Sequence, residues 1–364
     1  MLVYRTDKMM FRSYLEKVVL ICLNKINGER TSYSIFHILK GKKSSQTIQD
    51  GYLFGISNFF ATYPDISRKD FQNIIRFFQD NKWITLVNDS DEYAMTVLGI
   101  EVSRNLEVEK NLISHINGHQ FHQVAPLYWK RFSLLFQVIS NSVHQNKKYY
   151  GVQRDLTVQN WVKNYLFKQQ MSLKNVSFSI YDEMQKILIQ LPRNQADIFL
   201  MKLSGFHRIG YSNQQIAEII GVDETFVHYQ FLNALHFIID EVASQSDKYP
   251  YLNGVYEKDE AEDELPLTKS SVTTFRYLQQ GLSVEEISSI RNLKRNTIED
   301  HIIELAFQGK NVNVEQFISN ETMMEIMDII ETLQTKQLKM IKQALPSDIS
   351  YFQIRLALAR RRDF

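Results

Sequence analysis

The fold of this chain is decided by the stretch Gly281-Leu282-Ser283-Val284-Glu285-Glu286-Ile287, whose pattern recurs at Gly210-Tyr211-Ser212-Asn213-Gln214-Gln215-Ile216. In both stretches the glycine is suited to end a helix. The serine that follows, with Glu or Gln three residues later, forms a capping box that begins the next helix. The same signals in the same order at two places predict two helix-turn-helix units.

The correspondence continues beyond these stretches at a constant offset. Ala217 matches Ser288, and both are small where two helices must approach closely. Gly221 matches Asn292, and these are the residue types best able to adopt a positive φ in a tight turn. Apolar anchors follow at both turns and in both next helices: Val222 and Leu293, then Val227 and Ile298. A helix-turn-helix needs a small residue where its two helices approach, a tight turn between them and apolar anchors, all at fixed spacing.

The second unit carries the side chains expected of a DNA-reading helix. Arg291, Lys294 and Arg295 surround its turn, and Asn296 and Thr297 occupy the first turn of the following helix. In a recognition helix these positions meet base edges and phosphates. We therefore predict DNA contact here. The alternative is a solvated surface of mixed charge, because two acidic residues follow at once.

The first unit differs in charge. Its second helix, predicted over Asp223–Gln230, has no Lys or Arg and starts with two acidic residues. Acids repel phosphates, although they also stabilise the N-terminus of a helix. The pattern favours a structural role for this unit.

The N-terminal part has the element order of a winged helix. Phe11–Lys25 has helical periodicity, and Ser67 with Asp70 forms an S-x-x-D start signal for a further helix. Two short strands follow, Trp83–Val87 and Glu92–Val97, around a polar turn. Helices followed by one hairpin predict a winged-helix-like domain.

Two more basic clusters are candidates for phosphate contact. One is the turn after a predicted helix that Thr31 can cap and that runs to about Leu39; its residues are Lys40, Lys42 and Lys43. The other is the tail of the last helix, with Arg360, Arg361 and Arg362. Charge and neighbouring hydroxyls suit the turn to phosphates. The alternatives are solvated lysines in the turn and, in the tail, arginines that complement the helix dipole.

Length and composition set the domain organisation. With 364 residues, 13 Gly and 6 Pro, the chain is long enough for two or three domains and should be mainly helical. A block of like charge ending in Leu-Pro-Leu reads as an exposed linker. We predict a winged-helix-like domain at 1–105, a helical domain ending in a helix-turn-helix at 106–253, an acidic linker at 254–267 and a C-terminal helix-turn-helix domain at 268–364.

Several classes of function are not supported by the sequence. A phosphate loop of the type Gly-x-x-x-x-Gly-Lys-Ser/Thr does not occur, and no nucleophile-base-acid cluster can be read, so we predict a non-catalytic protein without a cofactor. His115, His119 and His122 have helical spacing but no Cys, Asp or Glu nearby, so we predict no metal there. The sole cysteine, Cys22, lies in an apolar run and is expected to be a buried thiol. With no apolar span near the length of a membrane helix and no signal sequence, we expect a cytoplasmic protein.

Residues 268–364 resemble the helix-turn-helix domain appended to the C-terminus of many RecQ-type helicases. The resemblance rests on the stretch 281–287, on Asn296–His301 and on Leu345–Ser350. It implies a module that serves a helicase without being its motor.

Two other segments have looser resemblances. Residues 30–100 resemble the winged-helix module that follows the motor in those helicases, through Ile38–Ser44, Gly55-Ile56 and Ser67–Lys69. Residues 192–242 resemble the last DNA-binding region of sigma factors, through Leu191–Gln195 and the helix-turn-helix that follows.

The whole arrangement resembles the YpbB family of Gram-positive bacteria, whose gene typically lies beside a gene for a RecQ-like helicase. The resemblance implies a nucleoid-associated accessory protein that binds duplex or forked DNA and works with the helicase in DNA repair and recombination. One alternative is an adaptor that binds the helicase without touching DNA. Another is a sigma-like transcription regulator, although His228, Tyr229 and Gln230 stand where sigma factors are basic.

Overall fold

The structure, a computed structural model, describes residues 10–88, 91–107, 113–169, 171–256, 268–309 and 312–360. Within these ranges the chain is mainly helical, which confirms the predicted fold class. None of the helices in these ranges is both long and apolar enough to cross a membrane.

The N-terminal part contains four helices, a hairpin and a fifth helix: α1 Tyr14–Ile26, α2 Tyr33–Lys40, α3 Ser45–Leu53, α4 Arg68–Asp80, β1 Ile84–Asn88, β2 Glu92–Met95 and α5 Val97–Glu107. Helix α4 begins as the S-x-x-D signal predicts, because the Ser67 hydroxyl accepts a hydrogen bond from the Asp70 backbone N–H at 3.0 Å. Its apolar face is buried at Phe71, Ile74, Ile75 and Phe78.

The predicted hairpin is present. Strands β1 and β2 are antiparallel, with Ile84 opposite Met95 and Leu86 opposite Tyr93. The order of helices followed by a hairpin thus agrees with the sequence, while the assignment to the winged-helix class stays a prediction.

The middle of the chain is helical: α6 Gly118–Phe121, α7 Val124–Val143, α8 Leu156–Lys168, α9 Leu173–Leu188, α10 Arg193–Met201, α11 Asn213–Ile220, α12 Glu224–Ser244 and α13 Pro250–Tyr256. The C-terminal part adds α14 Lys269–Gln279, α15 Val284–Arg291, α16 Arg295–Phe307, α17 Asn320–Leu333, α18 Leu338–Ala344 and α19 Tyr351–Arg360. Most of the predicted acidic linker, residues 257–267, lies outside the described residues.

The chain forms two compact units. Unit 1 comprises the described residues within Met1–Val19 and Arg104–Glu260, and unit 2 those within Leu20–Ser103 and Ala261–Phe364. The N-terminal helices and hairpin within 20–103 therefore belong to the same compact unit as the C-terminal helices. The four segments predicted from the sequence stay a prediction.

Unit 1 is built around an aromatic core between α7, α10 and α12. The Trp129 ring meets the Phe231 ring edge-on at 4.8 Å and the Phe199 ring at 5.4 Å. Buried polar groups are paired at the helix ends: the Glu183 carboxylate accepts from the backbone N–H of Leu252 at 2.9 Å, which satisfies a donor in the first turn of α13.

Unit 2 is held together by contacts between the two ends of the chain. The Tyr52 ring of α3 stacks on the Phe307 ring of α16 with 5.6 Å between centroids. The Lys336 backbone N–H donates to the Glu29 carboxylate at 2.7 Å, and Lys336 Nζ donates to the Leu53 carbonyl at 2.7 Å. The N-terminal helices and the C-terminal helix-turn-helix thus share one packed body.

Cys22 gives a test of the packing of α1. The side chain is fully buried, and this burial raises the pKa of its thiol to about 12. Because the thiolate is the reactive form, we expect no reaction with a thiol reagent such as dithionitrobenzoate in the native protein at pH 8, and complete reaction in denaturant. Absorbance at the released thionitrobenzoate band measures both. Rapid labelling of native protein would contradict the buried position.

Candidate nucleic-acid interface

The repeat predicted from the sequence is present in both helix-turn-helix units. Glu286 Oε2 accepts from the Ser283 backbone N–H at 2.8 Å, and Gln215 Oε1 accepts from the Ser212 backbone N–H at 2.9 Å, so both capping boxes form. Hydrogen bonds from Ser283 lower the pKa of the Glu286 carboxyl. These caps confirm that α11 and α15 begin where the sequence predicts.

Both turns use a left-handed residue at the predicted position. Gly221 has a φ of +72° and Asn292 a φ of +50°. After Asn292, the Leu293 backbone N–H donates to the Ser288 carbonyl at 3.1 Å, and the Ser288 hydroxyl donates to the Leu293 carbonyl at 2.5 Å. The small side chain at 288 therefore fixes the turn by hydrogen bonding as well as by its size.

Arg291 points into the domain rather than away from it. Its guanidinium donates to the Ser270 carbonyl at 2.9 Å, to the Ser270 hydroxyl at 2.9 Å and to the Thr274 hydroxyl at 2.5 Å. It also lies 3.3 Å from His301 Nδ1, and burial followed by the Arg291 charge lowers the pKa of His301 to about 4. In this structure Arg291 joins α15 to α14 and α16.

The other four predicted residues stand at the start of α16. Lys294 and Asn296 are exposed, and Thr297 is half-buried. Arg295 is exposed too, but its guanidinium is held between two carboxylates, at 2.9 Å from Glu299 and in contact with Glu285. The first turn of α16 therefore presents two exposed polar side chains beside an arginine whose charge is already paired.

A cleft of about 900 Å³ lies next to this turn. Arg295 and Asn296 line it, together with the carboxylates of Glu285, Glu299 and Asp300. Asp300 is paired with Arg355 at 2.5 Å. Acids outnumber bases around the cleft, so its local field is poorly suited to phosphates.

The basic turn between α2 and α3 has a different environment. Gly41 ends α2 with a φ of +72°, and a Cβ at this position would stand 2.5 Å from the Cβ of Ala61. The turn therefore needs glycine for both conformation and space. Lys42 and Lys43 are exposed beside it, and Lys40 Nζ donates to the carbonyls of Pro64 and Ile66 at 3.3 Å.

The start of α4 brings two further cations to this turn. The Arg68 guanidinium lies 4.6 Å from the centre of the Tyr33 ring of α2, and Lys69 is exposed next to it. Burial, and then the charges of Lys42 and Arg68, lower the pKa of His37, which places both cations near the same imidazole. We call Lys40, Lys42, Lys43, Arg68 and Lys69 the basic cluster.

Arg68 and Lys69 were not among the site residues predicted from the sequence. A usable signal was available, because Arg68, Gln72 and Arg76 recur every fourth residue along the exposed face of α4. Asp65 and Asp70 are the acidic residues nearest to Arg68 and Lys69 in the sequence. The basic cluster still exceeds them in charge by three.

The predicted tail is only partly described. Arg360 is exposed at the last residue of α19, while Arg361 and Arg362 lie outside the described residues. The structure therefore places one of the three arginines.

Comparison with known proteins supports the fold of the C-terminal part and the family. A family model described as a helix-turn-helix domain matches residues 270–358. Protein YpbB of Bacillus subtilis (strain 168) is 33% identical to this chain over 351 residues, which is 96% of this chain and 98% of the relative. No solved structure matches the chain.

The chain belongs to the YpbB family. Its C-terminal domain is a helix-turn-helix of the type found in DNA-binding proteins. The predicted family and the predicted C-terminal domain are thereby confirmed.

The first helix-turn-helix, in unit 1, has its second helix covered at the start. The Tyr14 and Leu15 backbone N–H groups donate to Asp223 Oδ1 at 3.2 Å and to Thr225 Oγ1 at 2.9 Å. The Tyr14 ring also lies 5.8 Å from the ring of Tyr229, which is fully buried. Because the chain's own first helix occupies the first turn of α12, this geometry agrees with the structural role that the sequence favoured.

Alanine substitutions at Arg291 and Lys294 separate the contribution of packing to stability from the contribution of surface charge. Arg291→Ala removes donors from half-buried Ser270 and buried Thr274, so we expect a loss of about 1–3 kcal/mol in the free energy of unfolding of unit 2. Lys294→Ala changes an exposed side chain and should stay within about 0.5 kcal/mol of the unsubstituted protein. Thermal unfolding followed by circular dichroism measures both. Equal midpoints for the two variants would contradict the inward position of Arg291.

Proposed function

We propose that the chain is a non-catalytic accessory protein that binds duplex or forked DNA and acts with a RecQ-type helicase in DNA repair and recombination at the nucleoid. The observation that carries the proposal is the basic cluster. It stands in the same compact unit as the C-terminal helix-turn-helix. Five cations around one turn and one helix start form the footprint of a phosphate-binding surface.

The start of α4 adds a second attraction for phosphate. The backbone N–H groups of a helix's first turn and the helix dipole both favour an anion there. Lys69 is exposed in that first turn, and Lys42 and Lys43 are exposed in the turn that follows α2. These contacts position a duplex without reading its sequence.

The first turn of α16 would supply the contacts that approach the bases. Lys294 lies at the N-cap position, where it suits a phosphate, and Asn296 is exposed one residue into the helix. An exposed amide at this position suits hydrogen bonding to a base edge. The carboxylates around Arg295 restrict the approach, so α16 contributes fewer contacts than the basic cluster.

The link to a helicase rests on sequence resemblance. Residues 268–364 resemble the helix-turn-helix appended to RecQ-type helicases, and the family resemblance implies a neighbouring helicase gene. The cleft beside α16 supports a protein partner as well, because Glu285, Glu299 and exposed Tyr351 line it. The adaptor without DNA contact is therefore retained as the second candidate.

The transcription-regulator alternative loses support. In the first helix-turn-helix, Tyr229 and Gln230 are fully buried and cannot read a promoter from these positions. Tyr14 and Leu15 cover the first turn of the same helix.

Charge reversal tests the basic cluster directly. We expect Lys43→Glu/Lys69→Glu to lower affinity for labelled duplex and forked DNA by roughly tenfold or more at about 0.1 M salt, and to reduce the slope of log K against log salt by about 2. The control is Lys248→Glu/Lys339→Glu, which changes two other exposed lysines and leaves the same net charge. Fluorescence anisotropy across a salt series measures both. Equal losses in the two variants would show that net charge, and not the cluster, sets the affinity.

Helicase binding is tested with purified proteins and nuclease present. We expect the tagged chain to retain a RecQ-type helicase of the same organism when no DNA can bridge them. Loss of retention even at low salt would remove the helicase from the proposal. Retention together with undetectable DNA affinity would select the adaptor.

A further inference from the structure

A second basic surface occurs in unit 1, away from either helix-turn-helix motif in sequence. It is a cleft of about 710 Å³ bordered by the end of α7, the segment 147–151, helix α8 and the first residue of α9. Its floor is apolar, because Leu134 and Val162 are buried beneath it. We call this cleft the aromatic groove.

The rim of the aromatic groove combines cations with exposed rings. Lys147 and Lys163 line it and are exposed. Two aromatic side chains also line it, Tyr149 at 38% exposure and Phe167 at 87%. Among the described residues that line the groove there is no Asp or Glu.

Phe167 has no packing role that explains its position. Helix α8 buries Val158, Val162 and Tyr165, and Phe167 lies on its other side. A phenylalanine exposed to this degree loses the free energy that burial of its ring would give. The ring is therefore available to a ligand that can cover it.

The segment that carries Tyr149 is held in place rather than left loose. Gln137 of α7 spans it, because its Nε2 donates to the Tyr150 carbonyl at 3.0 Å and its Oε1 accepts from the Val152 backbone N–H at 2.7 Å. At the start of the segment, Asn146 Nδ2 donates to Asn141 Oδ1 at 2.7 Å. The groove is thus formed before any ligand arrives, which reduces the entropy lost on binding.

We infer that the aromatic groove binds single-stranded nucleic acid. Unpaired bases stack on aromatic faces, and lysines beside them neutralise the backbone; this combination is the usual one for single strands. A duplex keeps its bases stacked on each other and gains nothing from Tyr149 or Phe167. Lys148 and Lys168 follow the lining residues Lys147 and Phe167 in the sequence and are exposed as well.

The inference stands apart from the proposed function, because every residue that carries it belongs to unit 1 and the basic cluster belongs to unit 2. The charge of the rim requires an anionic occupant, and the exposed rings favour bases over acidic side chains. An acidic polypeptide is the competing occupant, and the experiment separates the two.

The test uses the full chain and a labelled oligothymidylate of about 20 nucleotides, longer than the usual site of one binding domain. We expect Phe167→Ala to weaken binding about tenfold, since each stacked base contributes that order of affinity. The matched control is Phe178→Ala, which removes another exposed phenylalanine of unit 1 that does not line the groove. Affinity unchanged by Phe167→Ala would overturn the inference.

The charges are tested in the same assay. Lys147→Glu/Lys163→Glu should weaken oligothymidylate binding by roughly tenfold or more, whereas Lys248→Glu/Lys339→Glu, with the same net charge, should not. Polyglutamate that displaces the oligonucleotide as well as unlabelled oligothymidylate does would identify an acidic polypeptide as the occupant and overturn the inference.

Two further measurements separate this site from the basic cluster. In a Lys43→Glu/Lys69→Glu background, duplex binding should fall while Phe167→Ala still weakens oligothymidylate binding. Ultraviolet cross-linking of the unsubstituted protein to oligothymidylate should label peptides from 147–168, which needs no variant to fold. Cross-links confined to 20–103 and 268–360 would place single strands on unit 2 and overturn the inference even if duplex binding is confirmed.

Discussion

Burial of helix α16 is the constraint on which unit 2 depends. Ile298, Ile302 and Ile303 are fully buried, and every residue from His301 to Leu305 is buried, so the middle of the helix is enclosed on all sides. One of its three acids is enclosed as well: Glu304 accepts from the Thr268 backbone N–H at 2.6 Å and from the Ser271 hydroxyl at 2.7 Å. A buried carboxyl without such donors would be strongly destabilising.

This burial explains how the C-terminal helix-turn-helix differs from a freely exposed recognition helix. From His301 to Leu305 every residue of α16 is buried, so only the residues before His301 are left for a ligand. Arg291 also points inward, because its guanidinium donates hydrogen bonds to Ser270 and Thr274 where α14 meets α15. A surface that reads DNA from α16 alone would be small. In the proposed function the phosphate contacts therefore come from elsewhere in the unit, namely from the basic cluster.

Structural features that depend on a few consecutive residues could be predicted from the sequence. Contacts between segments far apart in the sequence could not. The capping boxes, the left-handed residues Gly221 and Asn292 and the hairpin follow from signals a few residues long. The inward position of the Arg291 side chain depends on Thr274 and Ser270, which lie 17 and 21 positions away in the sequence. The packing of Tyr52 on Phe307 joins the two ends of the chain. The sequence around each of these residues carries no signal that identifies its distant partner. Helical periodicity and capping signals therefore could not predict these contacts.

The candidate sites follow the same rule. The turn Lys40–Lys43 was found because its charges are consecutive in sequence. Arg68 joins it only through the Tyr33 ring and the Lys40 hydrogen bonds to Pro64 and Ile66. The aromatic groove is a stronger case, because its lining residues come from three helices and a connecting segment, and none of these contains a motif. Net charge gave no guidance either: a formal +1 is compatible with basic surfaces that acids elsewhere in the chain balance.

The functions proposed for the two basic surfaces differ in the form of DNA that each would hold. The basic cluster offers cations and a helix start, which suit the regular phosphates of a duplex. The aromatic groove adds uncovered rings, which a duplex cannot use and a single strand can. A helicase consumes the first form and produces the second. A protein that holds both would therefore stay on the DNA on either side of the unwinding reaction, and neither surface needs a catalytic group to contribute.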